Sequence, residues 1–209
     1  MKDERNLFVV GPYYSSSSEK QQFLRGIFDR TAPHYERIAK WGWFGTGEVY
    51  RRQAILRAGA DSEMRVIDVA SGTGAVARAL MTILAGPDQL VCVEPSAGMI
   101  AESQKTVSAV HHQASADDMP VESETFDLLT MGFALRHVDN LDAAFQEFHR
   151  VLKPGGRALI MDVTRPGTAM GQFWFRLYFK HILPFLSLKR VKICIWKGIH
   201  HYAFLSRAH

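Results

Sequence analysis

Residues 65–80 read RVIDVASGTGAVARAL, and the fold turns on how this stretch is parsed. It opens as a short β-branched run with one carboxylate, Asp68, inside it, and from Ala75 it takes the apolar spacing of a helix. Between the two halves, Gly72 and Gly74 let the backbone turn sharply and approach a ligand with no Cβ in the way. The same pattern recurs downstream. LVCVE (90–94) precedes a helical segment from Ala97 to Thr106, and AVHHQA (109–114) is a third short run. FDLLTM (126–131) precedes a helix from Leu141 to Leu152, which Pro154 and the Gly155-Gly156 turn end before RALIMDV (157–163). The first helix of the series should run from Ala75 to Leu84. Short apolar strands alternating with helices specify parallel βαβ units, so the expected fold is α/β, a doubly wound, mostly parallel Rossmann-like sheet.

Upstream of this core the chain reads as helical. EKQQFLRGIFDR (19–30) follows the Ser15–Ser18 run and places Phe23, Ile27 and Phe28 on one face. A short helix over Tyr35–Lys40, the aromatic turn WGWFGTG (41–47) and a helix from Glu48 to about Ala58 complete the entry region.

Composition narrows the class. The chain has 209 residues, 47% apolar and 22% charged, enough for one substantial hydrophobic core. Cys92 and Cys194 cannot build a disulfide framework, and neither they nor His111, His112, His200 and His201 show metal-ligand spacing, so no metal is expected. A reducing, cytoplasmic setting is the default expectation. The apolar run Leu7–Val10 is too short for a signal-peptide core, and Phe173–Leu188 is broken by Arg176, Lys180 and His181. The charge is unevenly placed. All 21 acids fall at or before Asp162, so 17 of the 25 cations leave the body at −4, while residues 163–209 carry eight Lys/Arg and no acid. An acidic body without a basic-aromatic stripe near the glycine loop argues against nucleic acid as a partner.

Glu94, at the end of the second strand, follows Gly74 by twenty residues, the spacing at which a carboxylate meets the two hydroxyls of a ribose. The glycine loop and this acid together indicate an adenosine-containing cofactor. Gly72-x-Gly74-x-x-Ala77 also satisfies the dinucleotide fingerprint, which keeps a nicotinamide dehydrogenase among the readings. Two features favour S-adenosyl-L-methionine, with S-adenosyl-L-homocysteine as product. Asp68 stands just ahead of the glycines, where a carboxylate suits a cationic amino group and repels a pyrophosphate. RVLKPGGRALIMDV (150–163) has the helix-turn-strand form typical of methyltransferases.

With FDRTAPHYERI (28–38), VIDVASGTG (66–74), ADDMP (116–120) and ALRHVDN (134–140), the chain resembles the ubiquinone/menaquinone C-methyltransferases of the UbiE/MenG type, class I S-adenosylmethionine-dependent enzymes. The resemblance covers roughly residues 23–187. It implies cofactor contacts from Gly72, Thr73, Gly74 and Glu94, joined by Asp68 on the first strand, with Ser115 and Ala116 facing the adenine. The family usually has Asp or Asn where Ser115 stands, with Asp117 as the substitute here, and commonly Ser where Gly132 stands. In the family's entry pattern YDxMN…H..W this chain has Tyr35-Glu36-Arg37-Ile38-Ala39, then Gly47 and Tyr50.

The resemblance further implies a catalytic loop containing Arg136 and His137. Ring-carbon methylation needs a phenolate; Arg136, permanently charged, would stabilise it, and His137, where the family more often has Asn, would act as general base. Asp162 replaces a common Glu and either faces the acceptor or caps the next turn. The implied organisation is a helical cap and acceptor region (1–60), a cofactor core (61–168) and a basic aromatic helix with a divergent tail (169–209). That tail does not align with the family's closing antiparallel hairpin, which is expected to be incomplete or absent; Val191–Trp196 could supply one strand, and a homodimer would cover the edge left open. The expected function is methylation of a lipophilic aromatic or quinol small molecule. The rival is a cofactor-binding but catalytically degenerate partner protein. Nine of the 23 aromatic residues share the acid-free segment, so an anionic membrane surface is a further expected partner, reached peripherally.

Overall fold

The computed structural model describes residues 22–33, 46–163 and 166–178. The elements in chain order are helix α1 (22–33), α2 (Gly47–Arg57), β1 (Val66–Val69), α3 (Ala75–Met81), β2 (Leu90–Val93), α4 (Ala97–Ser103), β3 (Val110–His112), β4 (Phe126–Gly132), α5 (Leu141–Val151), β5 (Leu152–Met161) and α6 (Ala169–Leu177). The chain forms two compact units. One contains the residues up to Pro33 with Glu48–Asp162; the other contains His34–Gly47 and the residues from Val163 onward, α6 among them.

Within the first unit five parallel strands pair in the order β3-β2-β1-β4-β5. The order runs outward from β1 to β3, then restarts with β4 on the other side of β1. Such a reversal opens a crevice at the carboxyl ends of the strands, where doubly wound sheets bind ligands. The alternation of side chains explains the two core layers. Val66, Leu90, Cys92 and Leu128 face one way, onto Ile55 of α2 and Ala77 and Leu80 of α3. Ile67, Val69, Val91, Val93, Leu129 and Met131 face the other way, onto Ala144, Phe148 and Val151 of α5. Both faces of β1 and β2 are buried, as the near-continuous apolar reading of a parallel strand requires.

The helix starts follow local capping chemistry. Ser96 accepts from the Met99 amide, Asn140 from Ala143 and Thr168 from Gly171, each side chain satisfying an amide that has no partner within its own helix. Helix ends depart from the sequence reading. α3 stops at Met81 and α4 at Ser103, each about a turn early. α5 ends at Val151, three residues before Pro154, because proline disfavours helical backbone in the residue that precedes it. Leu152 already pairs with Phe126, and a register irregularity absorbs Lys153–Gly156 before Leu128 pairs with Arg157. Gly155 takes φ +82°, and a Cβ on Gly156 would stand 2.9 Å from the Lys153 carbonyl, so the turn is closed to larger residues. The expected helix over 35–40, most of the aromatic turn after it and the C-terminal strand and hairpin lie outside the described residues.

Leu129 is fully buried at the centre of the α5-facing layer. Leu129→Ala is expected to cost about 2–5 kcal/mol in urea unfolding, and a loss below 1 kcal/mol would show that this layer is not the close-packed core described.

Candidate functional site

The loop between β1 and α3 is held in left-handed backbone at three places: Ala70 (φ 53°), Gly72 (φ 55°) and Gly74 (φ 83°). The two glycines have different reasons. A Cβ on Gly74 would stand 2.6 Å from Ser103 Oγ and 2.7 Å from Val107 Cγ2, so this position is fixed by the close passage of the segment from Ser103 to Val107. Around Gly72 nothing lies within 4 Å of that place, so its backbone borders open space that a ligand could fill. Arg78 reaches back to the Thr73 carbonyl at 2.9 Å and holds the loop from the helix side.

Glu94, 5% exposed, joins this loop to β2 and α4. Its Oε2 accepts from the Gly72 amide at 2.9 Å and its Oε1 from the Ser96 amide at 2.9 Å. Burial pushes its carboxyl above the usual range, while the two amides favour the charged form. Asp68, opposite Thr130 across the β1–β4 pairing, is fully buried. Its Oδ1 accepts from Thr130 Oγ1 at 2.7 Å, while its Oδ2 is buried without a hydrogen bond of good geometry. Burial raises its pKa to about 7; Thr130, the Ala77 amide and Arg51 oppose the rise and nearby Glu94 adds to it.

Ser115, Ala116 and Asp117 follow β3, half-buried, in a turn closed by a bridge between Ser115 and Asp118. The segment after it is held from α5. Arg150 donates to the Met119 and Val121 carbonyls and to Glu147, whose Oε2 accepts from the Met119 amide. After β4, Phe133 adopts φ 61° and a 3-10 turn spans Leu135–His137. Arg136 pairs with Asp162, beyond the end of β5, at 3.0 Å. The His137 ring meets Phe28 of α1 edge-on, with 5.5 Å between centroids. A Cβ on Gly132 would stand 2.6 Å from Val76 Cγ2, so a serine would fit here only if Val76 moved.

The residues singled out from the sequence therefore lie at or just beyond the carboxyl ends of four neighbouring strands. Asp68, Gly72, Thr73 and Gly74 belong to β1 and its loop, Glu94 directly follows β2, Ser115–Asp117 lie in the segment after β3, and Arg136 and His137 in the turn after β4. Direct contact links Gly72 to Glu94, and Arg136 pairs with Asp162. The sequence reading missed Thr130, Ser96 and Asp29. Thr130 carried a usable signal, since a polar residue inside a buried strand needs a buried partner. Asp29 on α1 lay inside the quoted FDRTAPHYERI stretch but its partners were not legible: its Oδ1 accepts from Ser96 Oγ at 2.6 Å and from the Gly98 amide at 2.9 Å, across 67 and 69 residues of sequence.

The arrangement suits a cationic adenosyl ligand better than an anionic dinucleotide. The amide that a phosphate loop would aim at its ligand, Gly72 N–H, is already donated to Glu94, and two carboxylates flank the loop. S-adenosylmethionine, with a sulfonium and an amino group, fits that field, the space over Gly72 and the unbonded oxygen of Asp68.

Folded Asp68 keeps its proton up to about pH 7, whereas the unfolded chain releases it near 3.8, so the folded state binds the extra proton between these values and loses stability as pH rises through them. Asp68→Asn removes that titration. The melting temperature of the variant minus that of the parent, measured without ligand, should grow from about pH 4 to about pH 7 and then level; a pH-independent difference would contradict the assignment.

Comparison with known proteins agrees with this geometry. The family model for the ubiE/COQ5 methyltransferase family matches residues 16–207. A demethylmenaquinone methyltransferase of Symbiobacterium thermophilum is 30% identical over 200 residues, 92% of this chain and 80% of the relative. A ubiquinone/menaquinone biosynthesis C-methyltransferase UbiE of Rubrivivax gelatinosus is 32% identical over 189 residues, 90% of this chain and 72% of the relative. Among solved structures, an S-adenosylmethionine-dependent methyltransferase of Thermotoga maritima, described as a possible histamine N-methyltransferase, superposes with a TM-score of 0.57 at 26% identity, covering 73% of this chain and 67% of that one. A glycine loop tied to a buried glutamate, on a sheet of this order and within a match of this extent, makes the chain a member of the ubiE/COQ5 methyltransferase family and an S-adenosylmethionine-dependent methyltransferase.

Proposed function

We propose that the protein methylates a ring carbon of a reduced, lipophilic quinone. The observation that carries this reading is the extent of the family match, which includes the glycine loop and the Arg136–His137 turn together, with relatives named for quinone methylation. S-adenosylmethionine, when bound, supplies an electrophilic methyl group on sulfur. The chain's own residues then have three tasks. Gly72, Thr73, Gly74 and Glu94 would hold the adenosyl part, Asp68 would face its positive charge, and Ser115–Asp117 would border the adenine. Fixing the two reactants in line is worth roughly 7–11 kcal/mol. His137 would take the proton of the quinol hydroxyl, leaving a phenolate whose electron pair makes the ring carbon nucleophilic; as that carbon takes the methyl, the methyl–sulfur bond would break with its electron pair staying on sulfur as S-adenosylhomocysteine, and the ring hydrogen would leave as a proton. Arg136 would stabilise the phenolate, and its pairing with Asp162 at 3.0 Å restricts where the guanidinium can sit.

The setting follows from the acceptor. A cytoplasmic protein working on a lipid-soluble quinol has to meet a membrane, and α6 supports a peripheral contact. It exposes Met170 (72%), Phe173 (60%) and Trp174 (58%) beside Arg176, within the cationic segment that contains no acid. No described helix is long and apolar enough to cross a bilayer.

Radiolabelled S-adenosylmethionine with reduced demethylmenaquinone should give a methylated product. Arg136→Ala should lower kcat about 10²-fold or more, and His137→Asn by about the same factor. If His137→Asn keeps full turnover while Arg136→Ala loses it, the proton passes to another group. Cofactor binding without transfer to any quinol would favour the degenerate partner protein. In liposome sedimentation, binding should be stronger to anionic than to neutral vesicles and weaken with salt, since each cation near an anionic surface contributes on the order of 1 kcal/mol. Equal binding to both would remove the membrane contact.

A further inference from the structure

We propose that Asp29, on α1, is a positioning residue that sets the cofactor's ribose site by holding Ser96 against Glu94. The inference rests on reading Glu94 as the ribose ligand of a methyltransferase.

The connection is continuous. Asp29 Oδ1 accepts from Ser96 Oγ at 2.6 Å and from the Gly98 amide at 2.9 Å. Ser96 in turn donates its amide to Glu94 Oε1 at 2.9 Å, and Glu94 Oε2 takes the Gly72 amide. One carboxylate oxygen on α1 thereby fixes the residue that fixes one side of the ribose acid, while the glycine loop fixes the other. Backbone contact reinforces the side-chain bonds: a Cβ on Gly98 would stand 2.8 Å from Asp29 Cα, so α1 lies directly on the first turn of α4. Each Glu94 oxygen accepts one amide and retains a lone pair, the capacity needed for two ribose hydroxyls.

The charges agree with this role. The bonds from Ser96 and Gly98 hold the Asp29 carboxyl below its ordinary range. Asp29 acts on Glu94 as a like charge, and Arg25, one turn earlier on α1, acts on both acids as an opposite charge. α1 thus carries both the acid that bonds Ser96 and, four residues earlier, a cation that acts on it and on Glu94 through space. An acid that merely capped α4 would stabilise the fold and treat all ligands alike. A positioning residue acts on the ligand atoms that its relay serves.

Binding of S-adenosylhomocysteine and of its analogue lacking both ribose hydroxyls, measured by calorimetry, separates the two roles. Asp29→Ala should weaken S-adenosylhomocysteine about fivefold and leave the analogue unchanged, while Asp29→Asn, whose Oδ1 still accepts both bonds, should stay within about twofold of the parent. Ser96→Ala, which removes the hydroxyl but keeps the amide on Glu94, should repeat the selective loss. Equal loss for the two ligands, or no loss, would overturn the positioning role and leave the methyltransferase reading intact. A parent protein that binds S-adenosylhomocysteine no better than the analogue would overturn the ribose role of Glu94, and the inference with it.

Discussion

A buried carboxylate must be bonded or neutralised, and the requirements of Glu94 shape the centre of this molecule. Its oxygens take amides from two different segments, Gly72 after β1 and Ser96 before α4. Both segments must therefore come to the end of β2, and both do so through constrained backbone. The β1 loop needs left-handed residues at three positions to present the Gly72 amide, and the Ser96 amide is available because Ser96 caps α4 with its side chain. Pairing of β1 with both β2 and β4 supplies the rigid frame on which these loops are hung.

The electrostatic character of the site follows from the same contact. Loops that bind phosphates leave their amides free and avoid nearby acids. Here the central amide is spent internally, and Asp68 and Glu94 place two carboxyls beside it, one fully buried. Burial alone would favour keeping both protonated; a cationic ligand would reverse that preference, because an opposite charge at close range favours the ionised acid. Cations are also near the loop, Arg51 acting on Asp68, Arg25 on Glu94 and Arg78 holding the Thr73 carbonyl, while the segment that contains α6 carries positive charge with no acid.

Much of this was legible in the sequence because backbone geometry leaves strong marks. Only a short list of residues accepts positive φ, so Gly72 and Gly74 marked the loop, and the run lengths around them marked strand and helix. Glu94 was found because chain topology fixes the distance from the first loop to the end of the second strand. Boundaries were less legible: the turn at Pro154 and Gly155 reads as a helix stop, yet the helix ends earlier and the turn lies within an irregular strand pairing. The role of Asp29 was not legible although its motif was quoted, since nothing local tells an exposed aspartate that faces only water from one that also bonds a serine 67 residues away. The Arg136–Asp162 pair lay between these cases, with both residues noticed and their contact not.

The segment from Ser115 to Ser123 has no helix or strand, yet it is not a loose connection. Its carbonyls at Met119 and Val121, its Ser123 hydroxyl and its Met119 amide are all claimed by Arg150 and Glu147 of α5. To open, it must give up bonds to a helix that packs on the core through Phe148 and Val151. Its local unfolding is therefore coupled to that of α5, and amide exchange along it should follow the helix. The residues assigned to the adenine are thus continuous with a stretch whose opening is tied to a core helix.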